Sequence, residues 1–333
     1  MAIFLRACLL YLLVSLVMTM WLNNDPIAAI KGIMAAAAIL LDHLGGIFLR
    51  IWPVFPVALF ILGPKRCIAR LIPLVQVCLA VLAIQTGFLF MKSAIPQLAP
   101  FWADPLFARL DQVLLFGNDA WSVAHNLTPD AITPYFPMIY MPVWFVTAAA
   151  LPIVIVATDP DPARFNRHAW LFLGAWVVIG NIAATLGSSV GPVFYDQLLG
   201  TDRFADLKAA LAASGVTDGP IGHVQARLWA NQDEVDGIKA SGISAFPSVH
   251  VAIATITALY LAERFRAIGA AAGAVFLGLI LLISVYSGYH YLIDGIVSIV
   301  LIWAMDRAIR RWQARAAVAP RPSAIEPSGP VAA

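Results

Sequence analysis

Residues 241–250 read Ser-Gly-Ile-Ser-Ala-Phe-Pro-Ser-Val-His, and residues 286–294 read Tyr-Ser-Gly-Tyr-His-Tyr-Leu-Ile-Asp. Each segment adjoins a long apolar run, in a chain with only 6 histidines. His290 and Asp294 are four apart, so on a helix they share a face and the carboxylate orients the imidazole. His250 follows Pro247 and Ser248 where a new apolar run begins, which puts it in the first turn of a helix. Helix N-termini offer unpaired N–H groups and a positive dipole end, and both suit a phosphate. Two histidines, an orienting acid and an anion cradle are the parts of a phosphoryl-transfer site. In that reading His290 attacks phosphorus while Asp294 keeps its other ring nitrogen protonated. His250 is general acid toward the leaving group, then general base for the acceptor. Ser248 and the N–H groups near it bind phosphoryl oxygens, and Lys92 supplies positive charge. Gly242 and Gly288 allow close backbone approach to the phosphate.

Each residue also has a plainer reading. A histidine at a membrane interface can snorkel to water, and a His–Asp pair can be a structural hydrogen bond. Their convergence on one side of a bilayer favours chemistry, because intramembrane ionisable groups are costly and functional by default. A metal site from His250, His290 and Asp294 lacks the ligand spacing of a catalytic zinc site, so neither metal nor cofactor is expected. Asn181, Thr185 and Ser188 share a helical face that could line the cavity, though hydrogen bonding between helices is the expected role. Asp42 and His43 read as a packed pair or as groups near the headgroups. His125, His168 and His223 read as solvated groups in loops or at span ends.

The elements that position these residues follow from composition. Hydrophobic residues make up 61% of the 333 and charged residues 12%, against about a quarter charged in soluble domains. Successive apolar runs have the length of about 20 residues that crosses a bilayer. An all-α polytopic membrane protein follows. A net charge of +2 and the lack of a basic stripe exclude nucleic acid as a partner. Cys8, Cys67 and Cys78 have no metal spacing and read as packing residues. The N-terminal run to Leu22 lacks a small-x-small cleavage site and reads as a retained first span.

About eight spans are expected, near 3–22, 27–49, 71–91, 136–157, 168–190, 248–263, 267–286 and 290–309, with 46–63 an alternative to the second. Lys65, Arg66, Arg70, Arg164, Arg167, Arg264, Arg266, Arg307, Arg310, Arg311 and Arg315 then fall on one side. The Lys/Arg rule makes that side cytoplasmic. Lys92, His250, His290, Asp294 and the long loops 92–135 and 191–247 fall on the outer, periplasmic side of what reads as a bacterial inner membrane. Trp102 and the apolar residues Leu106, Leu110, Val113 and Leu114 predict an interfacial amphipathic helix in the first loop. The second loop carries a helical stretch near 202–213 and has the length of a lid, a substrate platform or a passive ectodomain. The chain divides into N-terminal spans (1–89), a catalytic membrane domain (90–311) and a disordered cytoplasmic tail (312–333).

These motifs resemble the type 2 phosphatidic acid phosphatase superfamily, whose signature is Lys-x6-Arg-Pro, Pro-Ser-x-His and Ser-Arg-x5-His-x3-Asp. Pro247-Ser248-Val249-His250 matches the second block, and His290 with Asp294 matches the end of the third. Lys92 and Pro100 keep the spacing of the first, but Ala99 replaces its arginine. Ile283 and Ser284 replace the Ser-Arg pair. The loss of both arginines, with Phe246 before Pro247 and Tyr291 after His290, is similar to the branch of inositol phosphorylceramide synthases. The resemblance spans roughly residues 90–305 and implies a six-helix catalytic core and a phosphohistidine.

A phosphate monoester carries nearly two negative charges and a phosphodiester one, so losing two arginines suits a diester donor. Arg109, Arg203, Arg227 or Lys239 can still reach in from the outer loops. The expected reaction passes a phospho-headgroup, phosphoinositol-like, from a phospholipid donor to a ceramide-like or other lipid alcohol acceptor. Hydrolysis of phosphatidate or a prenyl phosphate is the alternative. A transporter or scaffold reusing the fold is the third, and it has no use for the two histidines and the aspartate.

Overall fold

The computed structural model describes residues 1–22, 64–230 and 242–318, with positions 30, 31, 34 and 38 between the first two stretches. Apart from those four positions the candidate spans 27–49 and 46–63, with Asp42 and His43, lie outside the described residues, as does Lys239. In chain order the helices are α1 (Ala2–Leu22), α2 (Pro64–Leu98), α3 (Asp104–Leu114), α4 (Ala120–Leu127), α5 (Thr133–Thr158) and α6 (Pro162–Leu186). They continue as α7 (Pro192–Leu199), α8 (Ala205–Ala213), α9 (Pro220–Ala230), α10 (Val249–Tyr286) and α11 (Leu292–Val318). No strand occurs among the described residues.

The chain is thus an all-helical polytopic membrane protein. Helices α1, α2, α5, α6 and α10 are long and apolar enough to cross a bilayer. Their outward faces carry exposed residues such as Leu10, Leu13, Val17, Leu71, Ile72 and Val275. In water that surface would aggregate; in hydrocarbon it is already solvated. Inward faces are closely packed. The phenol of Tyr11 on α1 lies 2.9 Å from where a Cβ on Gly87 of α2 would stand, and it accepts a 2.6 Å hydrogen bond from Asn181 on α6. The helix-to-helix bonding expected of Asn181 is therefore present.

At 38 residues α10 is about twice the length of one crossing. Its backbone breaks at Arg266 (φ 54°, ψ −132°). A Cβ at Gly269 would stand 2.0 Å from the Leu261 carbonyl, and one at Gly273 would stand 2.6 Å from the Ala258 Cα. Such contacts require the chain to double back. Helix α10 is a tight antiparallel hairpin, whose two arms match the expected spans 248–263 and 267–286.

The tip of that hairpin marks one end of the bundle. There Arg167 pairs with Glu263 and with Asp306 (3.1 Å to the latter), Arg310 pairs with Glu263 and Asp306, and Arg164 pairs with Asp159 at 3.0 Å. Arg70 donates to the carbonyls of Val156 and Ala157. Asp161 caps α6 through the N–H groups of Ala163 and Arg164, with Pro162 in its first turn. His168 belongs to this end too, and the expectation of a solvated group is wrong. It is 1% exposed inside α6 and its Nδ1 bonds the Arg164 carbonyl at 2.9 Å.

The opposite end carries the two long connections, and both are more helical than expected. Helices α3 and α4 fill much of 92–135, and α7, α8 and α9 follow Gly191. Helix α11 continues through Val318, so the first residues of the tail expected at 312–333 are helical.

Candidate active site

His250 stands in the first turn of α10, as its sequence position predicts. Ser248 is the N-cap, accepting from the Val251 N–H at 3.3 Å through its hydroxyl oxygen. The first-turn N–H groups of Val249 and His250 have no acceptor within the helix. The His250 ring is held between two aromatic faces: Tyr140 at 4.3 Å and 6°, and Trp144 at 3.9 Å and 29°. Trp144 also donates its indole N–H to the His250 carbonyl at 3.0 Å. Tyr140 lies in, and Trp144 just beyond, a π-helical turn of α5, Ile139–Val143, which contains Pro142. Such turns insert a residue into the helical register and are frequent at functional sites. Neither aromatic residue was singled out from the sequence, where they look like two more apolar positions of a span.

His290 reaches Asp294, though not as an i,i+4 pair on a helix. Helix α11 begins at Leu292, so His290 lies in the turn before it. The contact forms because Asp294 folds back over the first turn, where its Oδ2 meets His290 Nδ1 at 3.2 Å and the Tyr291 N–H at 3.0 Å. Asp294 is 0% exposed and His290 7%. With Asp294 ionised its carboxylate accepts, which leaves the proton on Nδ1 and the lone pair on Nε2. That nitrogen faces the Ser248 hydroxyl at 3.2 Å. The two imidazoles stand 6.3 Å apart, centroid to centroid. Among the described residues neither ring nitrogen of His250 has a hydrogen-bond partner.

Lys92, near the end of α2, is close enough to act electrostatically on both imidazoles, and it makes no hydrogen bond or ion pair among the described residues. Gly242 explains its position. A Cβ there would stand 2.2 Å from the Lys92 carbonyl oxygen, so only glycine lets the strand of chain before Ser248 lie on the Lys92 backbone. Gly288 takes a left-handed conformation (φ 71°), and its carbonyl accepts from the Val193 N–H at 2.9 Å. The close approaches of both glycines are to protein, and their contribution is to aim Lys92 and His290.

The outer helices hold the site from above, through residues the sequence did not single out. Asp104 accepts from the N–H groups of Val190 and Gly191 (3.0 and 2.9 Å) and from the Tyr291 hydroxyl (3.0 Å). Asp111, two turns further along α3, accepts from the N–H groups of Leu292 and Ile293 at 2.8 and 2.9 Å. It thereby satisfies orphan donors at the start of α11. Burial pushes the Asp111 carboxyl up to about 7 against those bonds. The end of α10 is tied in the same way. His125 Nε2 donates to the Tyr286 carbonyl at 2.9 Å, with its ring stacked on Tyr286 at 3.7 Å. Gln225 donates to the Ser287 carbonyl at 2.8 Å. The solvated role expected for His125 is therefore corrected; burial lowers its pKa. His223 is exposed on α9, as expected.

Helix α3 has two faces. Asp104, Phe107, Ala108 and Asp111 are buried against the site, while Leu106, Val113 and Leu114 are exposed beside Trp102 and Phe116. Of the stripe that the sequence predicts, Leu106, Val113 and Leu114 face outward, while Leu110 packs against the inner cluster. The signal for the inner face was present as well: two acids seven apart share a helical face, on the side away from the apolar stripe.

The site as built contains an imidazole whose Nε2 meets the Ser248 hydroxyl, a second imidazole beside it, and an ammonium without a partner among the described residues. The family model described as the PAP2 superfamily matches residues 106–306, well over half of the chain. That stretch begins in α3 and ends in α11, and it includes both histidines. No curated protein and no solved structure matches the chain.

Proposed function

The chain belongs to the PAP2 superfamily, and from that premise we propose that it moves a phospho-headgroup from a phospholipid to a lipid alcohol through His290. Membership itself implies lipid phosphatase or phosphotransferase activity. The finer reading rests on one observation. A buried histidine, His290, and a half-buried one, His250, share a site in which Lys92 is the cation without a partner among the described residues. A single ammonium suits the one negative charge of a phosphodiester better than the two of a monoester.

The steps follow from the atoms. His290 Nε2 attacks phosphorus, forming an N–P bond as the P–O bond to the diacylglycerol breaks. His250 gives its proton to the departing oxygen. Asp294 stabilises the positive charge that the phosphorylated imidazole acquires. Lys92 and the Ser248 hydroxyl take the phosphoryl oxygens, with the first-turn N–H groups of α10 nearby; Gly242 and Gly288 shape the backbone around them. The acceptor hydroxyl then loses its proton to His250 and attacks phosphorus, which returns His290 to its starting state. Donor and acceptor are both lipids, and the acceptor is ceramide-like in the inositol phosphorylceramide synthase reading carried by Phe246 and Tyr291.

Mass spectrometry of lipid products tests this directly. Vesicles containing the purified protein and a phosphatidylinositol labelled in its headgroup should yield diacylglycerol and a labelled phospho-headgroup on ceramide, and the yield should depend on ceramide. Release of inorganic phosphate from phosphatidate, indifferent to any alcohol, would place the protein among the phosphatases instead.

The reading also puts the site on the outer face, with residues 90–311 as the catalytic unit and the tail in the cytoplasm. Asp202 and Arg315 are exposed at opposite ends of the bundle. In a background without the native cysteines, an impermeant thiol reagent applied to intact cells should label Asp202→Cys and spare Arg315→Cys. Labelling of the second alone would invert the protein.

A further inference from the structure

We propose that Arg203 is the group that receives the donor's phosphate on its way to His290, and that Asp119 holds it closed until the anion arrives. The proposal rests on the phosphoryl-transfer reading above and adds a binding residue to it. Phosphorus gains negative charge at its oxygens during transfer, and Lys92 alone offers little to steer an anion inward. Among the described cations of the outer segments, Arg109 and Arg227 are exposed. Lys208 lies 4.0 Å from Asp196. Arg203 differs from all three. Its side chain is one-third exposed (33%), its Nη1 donates to Asp119 Oδ2 at 2.9 Å, and its Nη2 donates to Asp119 Oδ1. The guanidinium lies 4.7 Å above the Phe204 ring.

Asp119 and Phe204 line a cavity whose wall also includes Trp121, Tyr291 and His290. Asp119, the partner of Arg203, and His290 therefore line the same small cavity, with Asp111 also in its wall. With the pair closed, the cavity has room for about one water, too little for a headgroup phosphate. Trp121 keeps a buried indole N–H with no acceptor, a donor suited to an incoming oxyanion. Exchange is chemically simple. A guanidinium binds carboxylate and phosphate with the same two-pronged geometry, so the phosphate takes the place of Asp119 on Arg203.

The two partners should respond in opposite directions, which a merely structural ion pair would not do. The experiment uses the full chain in phospholipid vesicles, with steady-state kinetics on the donor lipid and inhibition by inorganic vanadate. Arg203→Ala should raise the donor KM and the vanadate inhibition constant about 10–100-fold, the scale of one charged hydrogen-bonding partner, with a smaller effect on kcat. Arg203→Lys should fall between. Asp119→Asn should lower both constants, since it frees the guanidinium, and its thermal midpoint reports whether it folds. Loss of activity to the same extent in both variants, or an unchanged KM in Arg203→Ala with an active wild type, overturns the assignment. Wild-type turnover that vanadate does not inhibit overturns the phosphoryl-transfer reading and this assignment together.

Discussion

His290→Ala is expected to abolish turnover and with it any acid-labile phosphoenzyme, while His250→Ala keeps measurable first-step activity on an activated donor. The asymmetry follows from how the two rings are held. His290 has Nδ1 committed to Asp294 and Nε2 open toward the Ser248 hydroxyl at 3.2 Å, so one nitrogen is fixed as donor and the other is left as nucleophile. His250 lies between the faces of Tyr140 and Trp144, which fixes the ring plane without bonding either nitrogen. That arrangement suits a group that gives and takes a proton. General acid catalysis contributes about 10²–10⁴-fold where the leaving alcohol needs a proton, so His250→Ala should lose that much with a natural donor. An aryl phosphodiester expels an acidic phenol, and most of the loss should vanish. Rapid quench with a donor labelled at phosphorus reads both steps. Phosphoenzyme in His290→Ala but not in His250→Ala would reverse the roles assigned here.

Asp294→Asn should lower kcat by about two to four decades, the effect typical of groups that orient a catalytic imidazole, with little change in KM. The carboxylate sits at 0% exposure and receives both the His290 Nδ1–H and the Tyr291 N–H on one oxygen. An amide keeps the volume and one acceptor but removes the charge that balances the phosphorylated imidazole. It also offers an N–H that favours the wrong tautomer of His290. Because the shape is kept, the thermal midpoint should move far less than the rate. A loss of less than tenfold would mean that another group orients His290.

The part of this site legible in the sequence is the part made by local spacing. Pro247-Ser248-x-His250 at the start of an apolar run announces a helix N-terminus, and a histidine four residues before an aspartate announces a pair. The pair formed by a different local route, since His290 precedes α11 and only Asp294 belongs to it. What the sequence hid is made by contacts between distant segments. The sequence singled out only the apolar stripe of α3, yet Asp104 and Asp111 on its other face bond backbone near residues 190 and 292. His125 looked solvated because nothing near it in sequence says that α4 ends against the Tyr286 carbonyl. Periodicity reports which face of a helix is apolar; it cannot report that the other face meets protein rather than water. Tyr140 and Trp144 were hidden for a further reason: in a lipid-facing span every large apolar residue resembles every other.

The hairpin of α10 makes the bilayer a measuring rod. His250 opens its first arm, and His290 follows its second after a three-residue turn, with the fold-back at Arg266 on the far side. The interval between the two histidines is therefore a crossing and a return, and membrane thickness sets its length. One residue gained or lost in either arm would rotate everything beyond it by about 100° and advance it by about 1.5 Å. His250 would then no longer face His290. The loops can lengthen and vary, but the stretch joining the two histidines is held to a length that the lipid dictates.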